Sequence, residues 1–290
     1  MKKWIAQMLS ALLIAGFLIP SITLADLQRG DMVVTLGENL TAEQKKLLLA
    51  EMDAPDNVDI VTVTNEEEHN YLDGKVASRL IGTKAISSSS ITIAKSGSGI
   101  NVKTKNITWV TDDMYKNALA TAGIKDADIY VTAPFEVSGT AALTGLIKAY
   151  EVSTDTKISE EQKQAANEEM VETAKLGDEI GTEEATTLVE TIKEEIAANP
   201  PENDEELRTI IIKAADQINI NLTDVQIQSL MDLFNKLQEL GIDWGAVNDQ
   251  LNAAKEKVSN YLKSEEGQSF LDKLKEVFAS LIDAIKSLFS

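Results

Sequence analysis

Ser138, Gly139 and Thr140 are the residues whose types and spacing suggest chemistry first. They sit in TAPFEVSGTAALTGLIKAYE, from Thr132 to Glu151. A short apolar run ends at Pro134, and a helix-like segment containing Gly145 follows. Small hydroxyl and glycine residues between a strand and a helix can leave backbone N–H groups to hold an anion. Ser138 or Thr140 can equally satisfy one of those donors itself, as a helix cap. The specific phosphate templates are not met: a nucleotide loop needs its second glycine followed by Lys and a hydroxyl residue, whereas Leu146 follows Gly145. The dinucleotide glycine spacing is absent too. A glycine inside a helix costs about 1 kcal/mol relative to Ala. Ala142, Gly145 and Ala149 share one face, and Leu143, Leu146 and Tyr150 another. A helix apolar on two faces is buried. Packing is therefore preferred for Ser138, Gly139, Thr140 and Gly145, with ligand binding as the alternative.

Other chemistry is scarcer. His69 is the single histidine, so any triad would have to use it. It lies in Glu66-Glu67-Glu68-His69-Asn70, which reads as an exposed, solvated segment. There is no Cys, which excludes disulfides, thiolate metal sites and cysteine nucleophiles. Asp53, Asp56, Asn57 and Asp59 lack the spacing and glycine of a calcium loop and read as a polar turn. Paired carboxylates can catalyse without histidine, but among so many acids no pair stands out. No catalytic residue, metal site or cofactor is assigned.

The elements that position these residues change character near Glu151. Before it, short β-rich runs alternate with helices. Met32–Leu36, Val58–Val63, Ile86–Ala94, Ile100–Val110 and Asp128–Thr132 read as strands. Thr41 and Thr111 open helices, and Glu66–Leu72 reads as a short one. Ser96-Gly97-Ser98-Gly99, between two alternating runs, predicts a β-hairpin. LTAEQKKLLLAEM…DIVTV from Leu40 parallels VTDDMYKNALATAG…DIYVT from Val110. This reads as a duplicated strand–helix–strand unit, or as convergent capping and patterning. After Glu151 the chain reads as successive helices, with Gly177 ending the first, Thr182 capping the second and Asn199-Pro200-Pro201 breaking the run. The fold class is α+β: an N-terminal mixed α/β domain over residues 26–152, then an all-α helical domain over 153–290.

The first residues, MKKWIAQMLSALLIAGFLIPSITLAD, have the form of an export signal. Lys2 and Lys3 precede an apolar run, Pro20 breaks it, and Thr23-Leu24-Ala25 resembles a signal-peptidase site. Cleavage after Ala25 is expected, with a retained anchor as the alternative; the expected location is extracytoplasmic, secreted or at the cell surface. Loss of Lys2 and Lys3 takes the net charge from −20 to −22. Residues 26–152 carry 12 basic and 18 acidic side chains, and residues 153–290 carry 13 and 29. So acidic a chain is a poor nucleic-acid binder. The stripe of Leu271, Leu274, Phe278, Leu281, Ile285 and Leu288 in Phe270–Ser290 could lie on a membrane surface. Asp272, Glu276 and Asp283 offset its lysines, so packing within a bundle is preferred.

The leader, VTAPFEVSGTAALTGLIKAYE (Val131–Glu151) and LTDVQIQSLMDLFNKLQELGIDWGAVNDQL (Leu222–Leu251) together resemble the YpuA-like family of secreted Gram-positive bacterial proteins. The resemblance spans the expected mature chain and implies a cell-envelope setting. It brings no reaction, cofactor or catalytic residue. The leading expectation is a non-enzymatic protein binding a protein or envelope partner. The alternatives are an envelope hydrolase using carboxylates or hydroxyls, and a membrane-surface protein acting through Phe270–Ser290.

Overall fold

The computed structural model describes residues 32–72 and 81–263. The expected leader and the Phe270–Ser290 stripe lie outside them. Five strands form one sheet: β1 (Met32–Gly37), β2 (Asp59–Val63), β3 (Ser88–Ile93), β4 (Ile100–Ile107) and β5 (Ala127–Val137). Helix α1 (Ala42–Glu51) joins β1 to β2, α2 (Asn65–Leu72) follows β2, and α3 (Asp112–Thr121) joins β4 to β5. Then come α4 (Thr140–Thr154), α5 (Glu160–Ile180), α6 (Thr182–Ala198), α7 (Asp204–Gln217), α8 (Asp224–Glu239) and α9 (Trp244–Lys263). The architecture is α+β, as the sequence predicts.

Sheet order is β2-β1-β3-β5-β4. β1 and β2 are parallel, as are β4 and β5, while β3 runs antiparallel to both its neighbours. The two look-alike segments are therefore both parallel strand–helix–strand units. Their helices lie on opposite faces. Leu48 and Met52 of α1 pack with Val34, Leu36 and Tyr130. Helices α3 and α4 pack on the face bearing Val33, Ile91 and Ile129.

The predicted hairpin is not there. The turn at residues 96–99 reverses the chain, with Gly97 and Gly99 at φ +79° and +68°. However, β5 lies between β3 and β4 and pairs with both. The turn's chemistry fixes a reversal of direction, not adjacency. The parallel return through α3 places β5 inside β4. β5 also outruns its predicted end at Thr132, continuing through Pro134 to Val137. Pro134 falls between the Lys105–Thr132 and Ile107–Val137 pairs, where the β4–β5 ladder is irregular. A residue without N–H is tolerated there.

Local signals account for most helix starts. Thr41 and Thr223 each form a reciprocal capping box, with Gln44 and Gln226. Thr111 and Ser159 accept from the N–H groups of Met114 and Gln162. Thr182 is the exception: Gly181 is the cap, and Thr182 is already the first helical residue. Nor does Gly177 end α5, which runs to Ile180. A Cβ on Gly177 would sit 3.2 Å from the Cα of Thr182, so glycine is needed for α6 to fold back closely.

The sequence boundary at 152/153 falls inside the last turn of α4. One apolar cluster extends across it, from Val33 and Ile91 through Leu143 and Leu146 to Leu188, Ile211 and Phe234. At its centre lies an ion pair between Glu169 on α5 and Lys193 on α6, 0% and 1% exposed. The Lys193 ammonium donates to Glu169 Oε1 at 2.5 Å, Thr121 Oγ1 at 2.8 Å and the Asn117 carbonyl at 3.0 Å. Thr121 in turn donates to Glu169 Oε2 at 2.6 Å. The helical region is thus bolted to α3 by a dry polar cluster with its charges and donors matched.

Candidate functional site

Helix α4 begins abruptly. Its cap is Gly139, at φ +99°, and no side chain caps the helix. The left-handed turn and the crowding both call for glycine. A Cβ there would meet Ile107 Cγ2 at 2.5 Å and the Tyr115 hydroxyl at 2.6 Å. The buried Tyr115 hydroxyl donates to the Gly139 carbonyl and holds the turn in place.

With Gly139 as the cap, the hydroxyls at Ser138 and Thr140 serve another partner. Thr140, 1% exposed, donates to Glu68 Oε1 at 2.5 Å. Ser138 Oγ lies 3.3 Å from Thr140 Oγ1. Asn65 Nδ2 reaches the other Glu68 oxygen at 3.5 Å. Glu68 is 1% exposed, although it comes from the acidic segment expected to be solvated. Helix α2 turns that segment edge-on: Glu66 is exposed, whereas Glu68 and Leu72, four residues apart, face inward. Burial pushes the Glu68 carboxyl up to about 7, against the downward pull of the Thr140 and Asn65 hydrogen bonds and the nearby His69.

His69 is half-buried rather than solvated, with Nε2 3.1 Å from the Gly82 carbonyl. It sits beside the site and contacts its wall. Neighbouring Glu67 pairs with Lys148 at 2.6 Å, and accepts from the Thr64 N–H at 2.9 Å.

Glu68, Ser138 and Thr140 line a cavity of about 240 Å³. Ser87 adds a buried hydroxyl, and Ile81, Ile86 and Val137 supply apolar wall. Thr83 and Lys84 are exposed at its rim. This volume is below the ~300–1,000 Å³ of most drug-sized pockets. It suits one small group or the end of a larger molecule.

Gly145 is elsewhere. A Cβ there would lie 2.9 Å from both Thr35 Oγ1 and Val63 Cγ2. It is the point where α4 rests on the sheet, above the buried Thr35–Ser89 hydroxyl contact of 2.6 Å. The motif therefore divides: Ser138 and Thr140 line the cavity, Gly139 makes the turn between them, and Gly145 packs. Glu68 escapes sequence reasoning because it is 72 residues from Thr140. Its usable signal is the spacing to Leu72 on a helix that follows a strand.

Among the described residues, no group of three or more His, Cys, Asp or Glu side chains is placed to hold a metal ion. No helix among them is long and apolar enough to cross a membrane. The arrangement can accept a proton at Glu68 near neutral pH and hydrogen-bond a small polar group.

No solved structure matches the chain. The Bacillus subtilis (strain 168) protein described as "Uncharacterized protein YpuA" is 53% identical over 291 residues, covering 100% of each chain. Residues 36–254 match the family described as "Protein of unknown function (DUF1002)". That span holds strands β2 to β5, the Glu68 cavity and the buried Lys193 cluster, and the chain belongs to the DUF1002 family.

Proposed function

We propose that the protein is a secreted, non-enzymatic binding protein of the cell envelope, and that it engages its partner through the cavity at the start of α4. The basic, apolar and small-residue pattern of residues 1–25 supports export. The observation that carries the binding reading is Glu68. A carboxyl group held at 1% exposure with no ion-pair partner among the described residues is expensive. Lining a cavity with it, beside two hydroxyls, makes sense of that cost if a ligand group docks there.

The hydrolase alternative has one observation in its favour. Thr140 donates to a carboxylate whose pKa is raised to about 7, as a hydroxyl nucleophile does to its base. Yet Thr140 is 1% exposed, and its hydroxyl is turned toward Glu68 in the wall. Binding fits this geometry better than attack on a substrate.

The test places a photoreactive residue at Thr83, on the exposed rim, and irradiates intact cells. A discrete crosslinked product is expected, and it should vanish when Ser138→Trp fills the cavity. Crosslinking unaffected by Ser138→Trp would remove the cavity from the proposal. Hydrolysis of cell-wall material by the purified chain, abolished by Glu68→Gln, would replace binding with catalysis.

A further inference from the structure

Among the described residues, two glutamates are buried almost completely, and both accept a hydrogen bond from a threonine. Thr121 donates to Glu169 at 2.6 Å, and Thr140 donates to Glu68 at 2.5 Å. At Glu169 an ammonium completes the group: Lys193 Nζ touches the carboxylate at 2.5 Å and the threonine hydroxyl at 2.8 Å. At Glu68, no ammonium or guanidinium among the described residues lies within ion-pair distance. Instead the carboxyl borders the cavity.

We infer that the cavity takes a primary ammonium group on a short chain, with Glu68 as its counter-charge and the Thr140 and Ser138 oxygens as further acceptors. This rests on the binding reading above and names the chemistry of its ligand. The three acceptor oxygens run in series, 2.5 and 3.3 Å apart. An ammonium has three N–H donors to give, matching these acceptors in number. A chain of five heavy atoms, at the ~30 Å³ a water occupies in the liquid, needs about 150 Å³. The cavity offers about 240 Å³.

The other ligand charges fit less well. The start of α4 would favour an anion, but Glu68 already stands there, and a second carboxylate would meet it as a like charge. A neutral alcohol could use the hydroxyls yet would leave the buried carboxyl without a counter-charge. Lys84 is exposed at the rim, where water screens it.

The experiment titrates the full chain with n-butylammonium, n-butanol and n-butyrate, three probes of one size and different charge. Butylammonium should bind most tightly, and Glu68→Gln should weaken it at least tenfold while leaving butanol unchanged. A second measurement guards against a misfolded variant. With the wild-type chain at pH 6, saturating butylammonium should move the Glu68 carboxyl carbon resonance to its ionised position. Tighter binding of butanol or butyrate would overturn the ammonium assignment and leave the cavity as a site. No binding by any probe would also overturn it. If Ser138→Trp then leaves crosslinking in cells unchanged, the binding reading falls with it; if Ser138→Trp abolishes crosslinking, the binding reading stands alone.

Discussion

Glu169 and Glu68 meet the same difficulty in different ways. Both are buried, and both take a threonine hydroxyl. Glu169 is neutralised by a lysine from the next helix and sits in a dry junction between α3, α5 and α6. Glu68 has hydroxyl and amide partners, a raised proton affinity and a cavity beside it. The first arrangement is complete within the chain and belongs to the architecture. The second is suited to exchange something, a proton or a ligand, and is the part on which the binding proposal rests. Burial alone does not separate the two; the counter-charge does.

Breaking the complete site should have the largest effect. Lys193→Met leaves the Glu169 carboxyl buried without its partner, which should cost about 3–5 kcal/mol in urea unfolding. The double variant Lys193→Met/Glu169→Leu should recover most of that loss, because it removes both charges together. If the single variant unfolds like wild type, the junction is not held by the pair.

Glu68 should respond in the opposite sense. Folding raises its affinity for a proton, so its favourable contribution is present below the unfolded value of 4.5 and is lost as pH rises through about 7. Relative to wild type, Glu68→Gln should therefore gain stability across that window, reaching roughly 1–3 kcal/mol by pH 8. Near pH 4 the two chains should unfold alike. A pH-independent difference between them would contradict the raised proton affinity.

Thr140→Val asks how far the shared threonine matters. Losing one hydrogen bond to a buried acid should cost about 1–2 kcal/mol. It should also move the Glu68 titration upward, since Thr140 now pulls it down. Carboxyl-carbon NMR reads that shift, and a downward movement would reverse the assigned role of the hydroxyl.

Glu51 gives the smallest response and serves as the solvated reference. It accepts from Lys105 at 2.6 Å, Tyr130 at 2.9 Å and Thr132 at 2.7 Å at the end of α1, on the face of the sheet that this helix covers. Lys105→Ala should leave the unfolding midpoint within experimental error, because exposed ion pairs contribute little.

The sequence made some of this legible. Thr41, Thr111, Ser159 and Thr223 announce helices through cap chemistry that acts within three residues. Ser138-Gly139-Thr140 and Gly145 were visible as an unusual strand-to-helix junction for the same local reason. Adjacency was not legible: the turn at 96–99 signals reversal but says nothing of β5 entering between β3 and β4. Glu68 was hidden in the same way. Three consecutive glutamates read as a solvated face, and only the tertiary path of α2 past α4 selects the last of them, Glu68, as the partner for Thr140. Lys193 lay unremarked in an acidic helical region, for its partners Glu169 and Thr121 are 24 and 72 residues away.

Lys148 has one further consequence. Its ammonium, anchored by Glu67, donates to the carbonyl of Thr62 at 2.9 Å. Thr62 belongs to β2, an outer strand of the sheet that also bears exposed Ile60. A strand with bare carbonyls and apolar neighbours invites a second chain to add itself there. The lysine occupies that docking point with a charge that another backbone cannot displace cheaply. A charge held at an edge-strand carbonyl is one of the means by which proteins discourage edge-to-edge pairing.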